Sequence, residues 1–367
     1  MKIIRLLSRI VVGVVFVFSG IVKAIDPMGS VYKFHDYFQA FNLDFLSQLS
    51  LPLTILLCTA EFLAGFSVLT GIRQKTGIYT VMILMGIFTP LTFVLALTNP
   101  VSDCGCFGDA VHLTNWQTFW KNIILLAGVI VLFGGIKKIK QHFTSSTEWV
   151  VISSAGVLFI LFIIFSLRYL PVIDFLPYKT GTKIADKMVI PEGSSSDIYE
   201  TSFIYEKDGI RKEFTLNNYP ASDTSWKFID QKSVLVKKGY KPPIHDFSIT
   251  GPDGTDLTQK VLSDPGYTLL MISKKLNEAD SKQLEDGFQL GRYCISNGMS
   301  FLILTASGSE ETKRYDNGLE FCSTDETALK TMMRANPGYV LLKEGTIIGK
   351  WSSAGCPDKQ WFADMIK

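Results

Sequence analysis

The sequence predicts an all-α bundle of membrane-spanning helices followed by an α/β water-soluble domain, on three observations. The 367 residues are 47% hydrophobic and only 19% charged, with a mean hydropathy of +0.24, too apolar for an ordinary soluble chain of this size. The apolarity is one-sided. Met1 to Leu170 holds almost every long apolar run, and Pro171 to Lys367 has the mixed texture of a soluble domain. Within that second region, strand, helix and strand patterns follow one another at the spacing of a right-handed parallel crossover. The predicted boundaries are a four-span bundle over 1–140, a fifth span over 141–170, a stalk and small strand-rich segment over 171–242, and the α/β domain over 243–367.

A span needs roughly 20 consecutive apolar residues. Five stretches qualify: about Leu6 to Ile25, Leu51 to Leu69, Gly77 to Leu97, Phe119 to Phe133 with flanks, and Val150 to Leu167. Lys2 and Arg5 give the first the look of a signal peptide, but its long apolar run, the interruption at Arg9 and the lack of a small-residue cleavage site before Asp26 make it a span. Lys2, Arg5 and Arg9, then Arg73 and Lys75, then Lys137, Lys138 and Lys140 fall at the N-terminus and every second loop. Positive charge marks the cytoplasmic side. The segment from Asn99 to Asn115, which has no Lys or Arg, and everything after the fifth span are therefore expected on the outer side of the cytoplasmic membrane, in a periplasm. Trp116, Trp120 and Trp149 sit at span ends, where amphipathic rings favour the interface. The membrane lipid is thus an expected partner. Nucleic acid is not, because the near-neutral soluble half carries no basic stripe.

The outward segment contains "SDCGCFGD", Ser102 to Asp109. Cysteines two apart can close a disulfide if the chain bends, and Gly105 between Cys104 and Cys106 supplies the permissive backbone. So small a ring is strained, and strain makes a disulfide more oxidising and more exchangeable. Asp103 and Asp109 would raise a nearby thiol, so nothing local makes the thiolate unusually available. The alternatives are a disulfide that only stiffens the loop, or half of a soft-metal site completed by a residue such as His112. Disulfide chemistry is permitted on the outer side.

"DCGCFGD" between spans three and four, with "RIVVGVVFVFSGIVKAIDP" in span one and "AEFLAGFSVLTG" in span two, resembles the DoxX-like redox-associated membrane proteins and their methylamine utilisation protein MauE branch. The string Cys104, Gly105, Cys106, Phe107, Gly108 is its most specific part. The resemblance covers about the first 140 residues. It implies a compact four-span bundle, similar in outline to vitamin K epoxide reductase, and a role in forming or maintaining disulfides of an exported, thiol-containing client. Quinone-coupled disulfide generators carry a second cysteine pair near the quinone, and the spans here hold only Cys58, which argues against electron transfer to quinone. No cofactor motif is evident, and a quinone stands as an acceptor that no motif marks.

Glu61 lies about mid-span, where a carboxylate costs a few kcal/mol unless it is neutral or paired. Either it is functional, sharing a pocket with Cys58 one turn earlier on the same face, or it is a protonated acid bonded to another span, with Cys58 a small packing residue.

After Pro171 and Pro177 the tail leaves the membrane as an extended stalk. "TSFIY", "IRKEFTL" and "SVLVKKG" read as strands, with "EKDG" a turn between the first two. Then come "YTLLMIS", a helix through "EADSKQLEDGFQLGRYCISNG", "SFLILTAS", a helix at "DETALKTMMRAN", a hairpin "PGYVLLKEGTIIGKWS" turning at Lys343 to Gly345, and a helix in "PDKQWFADMIK" with Pro357 in its first turn. From Pro243 onward this order resembles the thioredoxin-like fold, especially its exported thiol-disulfide and peroxiredoxin-type branch. The resemblance makes Pro337 the proline that is cis beside the active site, and Asn336-Pro337 the cis candidate. The dithiol position holds "KKLNEADS" instead, which has no cysteine. Cys322, at the end of "LEFC" where a strand meets a helix, is either a reactive thiol lowered by that helix and able to pair with Cys104 or Cys106, or an inert strand-end residue. Cys294 reads as core, and Cys356 pairs with either or stays free.

Three functions compete on this basis. The chain is a disulfide-forming or disulfide-maintaining factor, or a non-catalytic module that holds an exported client, or a subunit of a quinone-linked respiratory complex with Glu61 in a proton or quinone site. Nucleotide-binding glycine loops are absent. The histidines, His35, His112, His142 and His245, are scattered over both expected sides. Hydrolase chemistry is excluded.

Overall fold

In the computed structural model, residues 2–366 are described apart from 102, 140–142, 192, 196–197, 208, 217, 221–222, 224, 238 and 316. Lys140 and His142 therefore lie outside the described residues. The chain forms two compact units, Met1–Thr182 with Ser248–Lys367, and Lys183–Phe247.

All five predicted spans are helices, each longer than its apolar run: α1 (Lys2–Ile25), α3 (Ser50–Thr70), α4 (Gln74–Thr98), α5 (Asn115–Phe133) and α6 (Ser145–Tyr169). The chain is a multi-pass membrane protein. Leu56, Ile83, Ile124 and Leu158 stay exposed on the spans, as a lipid-facing surface requires. Helix starts are set by local chemistry. Thr114 and Gln117 make a reciprocal capping box at α5, and the Thr144 hydroxyl caps α6. Small residues let α1 and α3 approach closely: a Cβ on Gly65 would lie 2.6 Å from the Val17 nitrogen, and one on Gly20 would lie 2.8 Å from the Phe62 nitrogen. The core of the bundle is Val12 and Phe16 against Ala64, Val68, Val81, Met85 and Val129.

Between α1 and α3 runs α2 (Pro27–Ala40), followed by a 3-10 turn over Asp44–Leu49. The apolar runs do not predict α2, because it buries only a short face at Ser30, Val31 and Phe38. Its start is nonetheless encoded. The Asp26 carboxylate accepts the Gly29 N–H at 3.1 Å, and Pro27 occupies the first turn.

The smaller unit holds α7 (Ile184–Met188) and a three-stranded antiparallel sheet of β1 (Ile198–Lys207), β2 (Ile210–Thr215) and β3 (Lys227–Lys237), with β1 central. The predicted turn falls partly on residue 208, outside the described residues.

After α8 (Thr258–Leu262), the C-terminal domain runs β4 (Tyr267–Ile272), α9 (Ser281–Ser296), β5 (Ser300–Thr305), α10 (Ser309–Arg314), β6 (Phe321–Ser323), α11 (Glu326–Met332), β7 (Gly338–Lys343), β8 (Thr346–Ser352) and α12 (Lys359–Ile366). The sheet order is β6-β5-β4-β7-β8. β4, β5 and β6 are parallel and β7 and β8 antiparallel to their neighbours. A parallel βαβ half joined to an antiparallel hairpin, with a cis Asn336-Pro337 bond opening the hairpin, is the thioredoxin-like arrangement. The turn uses Glu344 and Gly345, both at positive φ, 49° and 70°, the geometry of a two-residue hairpin loop. Pro357 stands before α12 rather than inside it, because Asp358 takes the capping role, its carboxylate accepting the Trp361 N–H at 2.9 Å.

Candidate functional site

The loop after α4 is shaped by two glycines at positive φ, Gly105 (65°) and Gly108 (53°), which only glycine adopts without strain. Between them the chain doubles back and sets the Cys104 and Cys106 sulfurs 2.7 Å apart. Both are unbonded thiols, as are the other four cysteines. Gly105 also leaves room for the Lys33 side chain, whose Cγ would lie 2.9 Å from an added Cβ.

The loop is anchored from below by an ion pair between spans. Lys23 of α1 and Glu61 of α3 are both buried, with Nζ 2.8 Å from Oε2. Lys23 also donates to the Ser19 hydroxyl at 2.7 Å and to the Cys106 carbonyl. All three of its protons are thus placed. From α2, the Tyr37 hydroxyl donates to the Cys104 carbonyl at 2.7 Å and Lys33 pairs with Asp103 at 2.9 Å. The Phe107 ring meets the edge of Phe18 at 5.4 Å, with Lys121 Nζ 4.4 Å above it.

Electrostatics here run against the sequence-based expectation that the flanking acids keep both thiols high. The hydrogen bond from Cys104, helped by Lys121 and Lys23, outweighs burial and pulls Cys106 down to about 6. Cys104 correspondingly moves well above its usual range, through the same hydrogen bond and through burial. The two sulfurs share one proton between them. Asp103 and Asp109 do not spoil this, being occupied by Lys33 and Arg334.

Glu61, Cys104, Gly105 and Cys106 therefore line one cavity. Cys58 does not join them. It is fully buried with Ala24, Phe159 and Ile163, and Glu61 turns to Lys23 instead. His112 is exposed, away from the cavity lining. Of the two readings of Cys322, the inert strand-end residue is the one its surroundings favour: the thiol is fully buried, and burial with the Glu320 carboxylate pushes it up to about 12. Cys356 packs against the cluster that contains Cys294. Pro337 lines a separate cavity of about 520 Å³ with Tyr32, Lys274 and Lys330. There Lys274 occupies the start of the segment where a dithiol would stand. Its Nζ donates to the carbonyls of Met333, Arg334 and Ala335 at 3.2, 2.9 and 2.9 Å, which ties down the backbone before Pro337. Burial, with Arg334 and Lys330 nearby, lowers Lys274 to about 7.

The residues that the sequence reading misses are Lys23, Ser19, Ser30, Lys33, Tyr37 and Arg334. Lys23 had a visible signal, a cation inside an apolar run facing an acid in the next. Replacing it by Met leaves Glu61 buried without its cation. The expected loss is about 3–5 kcal/mol, read as a lowered thermal midpoint in detergent. The double variant Lys23→Met, Glu61→Leu recovers most of it, and a midpoint unmoved by Lys23→Met alone refutes the pair's importance.

What the fold and site define is a polytopic membrane bundle with a paired thiol at one end and a docked thioredoxin-like domain. Residues 1–135 match the family of methylamine utilisation protein MauE, and residues 199–238 match a domain of unknown function, DUF8463. No curated protein matches the chain. Among solved structures, a putative protein disulfide isomerase from Bacteroides thetaiotaomicron is similar at 17% identity over 33% of this chain and 81% of that one, with a TM-score of 0.25. Peroxiredoxin Q of Xanthomonas campestris is similar at 12% identity over 32% and 86%, TM-score 0.25, and the bacterioferritin comigratory protein of Xanthomonas campestris at 11% over 32% and 85%, TM-score 0.25. The matched membrane family and the paired thiols give the chain a membrane-associated, redox-related role.

Proposed function

We propose that the chain forms or maintains disulfides in exported, thiol-containing proteins on the outer face of the cytoplasmic membrane. The observation that carries this reading is the Cys104–Cys106 pair, with sulfurs 2.7 Å apart and one thiol drawn down to about 6. In its disulfide form the pair accepts two electrons from a client dithiol; of the client's two thiol protons, one stays between the Cys104 and Cys106 sulfurs and the other passes to water. The client's S–S bond forms as the Cys104–Cys106 bond breaks, through a mixed disulfide. The absence of Lys and Arg from the segment Asn99 to Asn115 supports its outward orientation, and the MauE match supports the membrane half of the reading.

The C-terminal domain is a holding module in this scheme. Lys274 stands near the position of a dithiol, and Cys322 is sealed in the core. That feature also favours a second reading, a purely non-catalytic assembly module. Differential alkylation with mass spectrometry in intact cells, before and after a mild reductant pulse, separates the two. Exchange predicts that Cys104 and Cys106 cycle between states and appear in mixed disulfides with exported proteins. A pair locked in one state throughout leaves the assembly module standing.

A further inference from the structure

The cavity of about 520 Å³ that Pro337 borders shares no lining residue with the cysteine-loop cavity. Cations dominate it. Arg168, Lys274, Lys275, Lys330 and Arg334 line it, against the carboxylates of Glu278 and Glu326. Lys274 Nζ, Lys330 Nζ and the Arg334 guanidinium crowd a single ring, standing 6.0, 5.3 and 5.4 Å from the centre of Tyr32.

Much of this charge is answered locally. Asp26 and Asp109 hold Arg334, Glu326 holds Lys330 at 2.8 Å and Lys275 at 3.7 Å, and Glu278 also reaches Lys275 at 3.3 Å. Among the described residues, Lys274 and Arg168 have no such carboxylate. Lys274 is buried, and the carbonyls that take its three protons answer its hydrogen bonds but not its charge. Burial, with Arg334 and Lys330, lowers it to about 7, the response of a cation to positive potential that the nearby acids do not cancel. Arg168 is exposed in the last turn of α6. Its guanidinium stands 5.7 Å from the Tyr169 ring and bonds no acceptor among the described residues. The Tyr32 hydroxyl is sealed from water, yet it too has no hydrogen-bond partner among the described residues. Burying an unpaired polar group is costly, and a ligand oxygen seated in the cavity would relieve it.

Position narrows the ligand. The cavity lies where α6 ends, with Leu167 of that span in its wall, and basic pockets at span ends suit anionic headgroups. A phosphate has more acceptor oxygens than a carboxylate and can meet donors arriving from α2, α6 and α11 at once. We infer that the cavity binds a phosphate group, held by Arg168 and Tyr32 beside the uncompensated charge of Lys274. A phospholipid headgroup and a soluble phosphate ester present the same oxygens.

The test titrates the full chain in a neutral detergent, at fixed ionic strength, with dioctanoyl phosphatidylglycerol and separately with glycerol 3-phosphate, and native mass spectrometry reads the bound ligand. The expected result is saturable binding of at least one of them, one per chain. Arg168→Gln, an exposed change, weakens it about tenfold, equivalent to about 1.4 kcal/mol. Tyr32→Phe deletes only the hydroxyl and weakens it about threefold, the scale of one neutral hydrogen bond. Lys75→Gln, exposed at the start of α4 and so toward the other end of the bundle, keeps the wild-type affinity, which separates a site from diffuse attraction to charge. Binding of the lipid alone assigns the phosphate to a membrane headgroup, and binding of glycerol 3-phosphate assigns it to a soluble ester. The site is refuted if neither ligand saturates, if Arg168→Gln and Lys75→Gln weaken binding equally, or if Arg168→Gln and Tyr32→Phe both bind as the wild type does.

Discussion

Iodoacetamide modifies Cys106 before Cys104 in the reduced chain, and the rate of that modification climbs as pH rises through about 6 and levels off above it. The cause is the hydrogen bond from Cys104, which with Lys121 and Lys23 keeps Cys106 a thiolate near neutrality. Cys104→Ala removes the largest of these causes and returns Cys106 toward the ordinary thiol value of about 8.5. At pH 6 the thiolate fraction then falls from about half to about three in a thousand. The more basic thiolate is intrinsically more nucleophilic, with a Brønsted slope of about 0.4–0.5, which returns roughly ten- to twentyfold. The net expectation is modification about tenfold slower at pH 6 in Cys104→Ala, with the order reversed near pH 9, where both forms are mostly ionised and the more basic one attacks faster. Peptide mapping by mass spectrometry reads both sulfurs at once. Parallel profiles for the two chains, with no crossing, eliminate the shared-proton pair. The same arrangement has a thermodynamic sign. A thiol whose folded value lies below its unfolded one stabilises the fold above the unfolded value, and this contribution is lost as pH falls through about 6.

This pair is also where the sequence was least informative about chemistry, although it marked the residues. The cysteines and glycines of the loop are local, so their place between spans and their capacity to bend the chain can be read directly. Their ionisation cannot. Asp103 and Asp109, seen only as neighbours in sequence, point toward high thiols. Folding removes both by giving them Lys33 and Arg334 as partners. Glu61 was legible as an acid that must be satisfied somewhere, because the cost of a carboxylate in hydrocarbon needs no tertiary knowledge. Its partner was harder to read, since Lys23 meets it only because Gly20 and Gly65 let α1 and α3 approach. The five spans and the order of the C-terminal domain come from periodicity and apolar run length, which are local. The amphipathic α2 is too short and too polar to announce itself by either measure. It nonetheless contributes Ser30, Lys33, Phe34 and Tyr37 to the cavity wall.

The longest-range element of the site is Arg334, which follows α11 and lies 308 positions from one of its partners. No local pattern could have assigned it. Its guanidinium bonds Asp26 at 2.7 Å and Asp109 at 2.6 Å. It also donates to the Lys330 carbonyl at 2.9 Å, and it stands 5.4 Å from the Tyr32 ring centre. Gly29 keeps the space open, since a Cβ there would crowd Asp26, Asp109 and Arg334 within 3.2 Å. One side chain of the thioredoxin-like domain thus holds both the cap of α2 and the end of the cysteine loop. Arg334→Ala leaves two carboxylates facing each other with their shared cation gone, and the expected cost is about 3–5 kcal/mol. Arg334→Lys restores the charge but not the planar fork that serves two acids at once, so it recovers only part of the loss. In the double variant Arg334→Ala, Asp109→Asn, the penalty is smaller than in Arg334→Ala alone, because one of the stranded charges is removed. Thermal midpoints in detergent give the order of the three variants. Hydrogen exchange over residues 103–109 gives the part that global stability alone would not, a faster exchanging loop in Arg334→Ala at temperatures where the bundle is still folded. If the midpoint and the loop exchange both stay at wild-type values, the docked domain does not position the thiol pair.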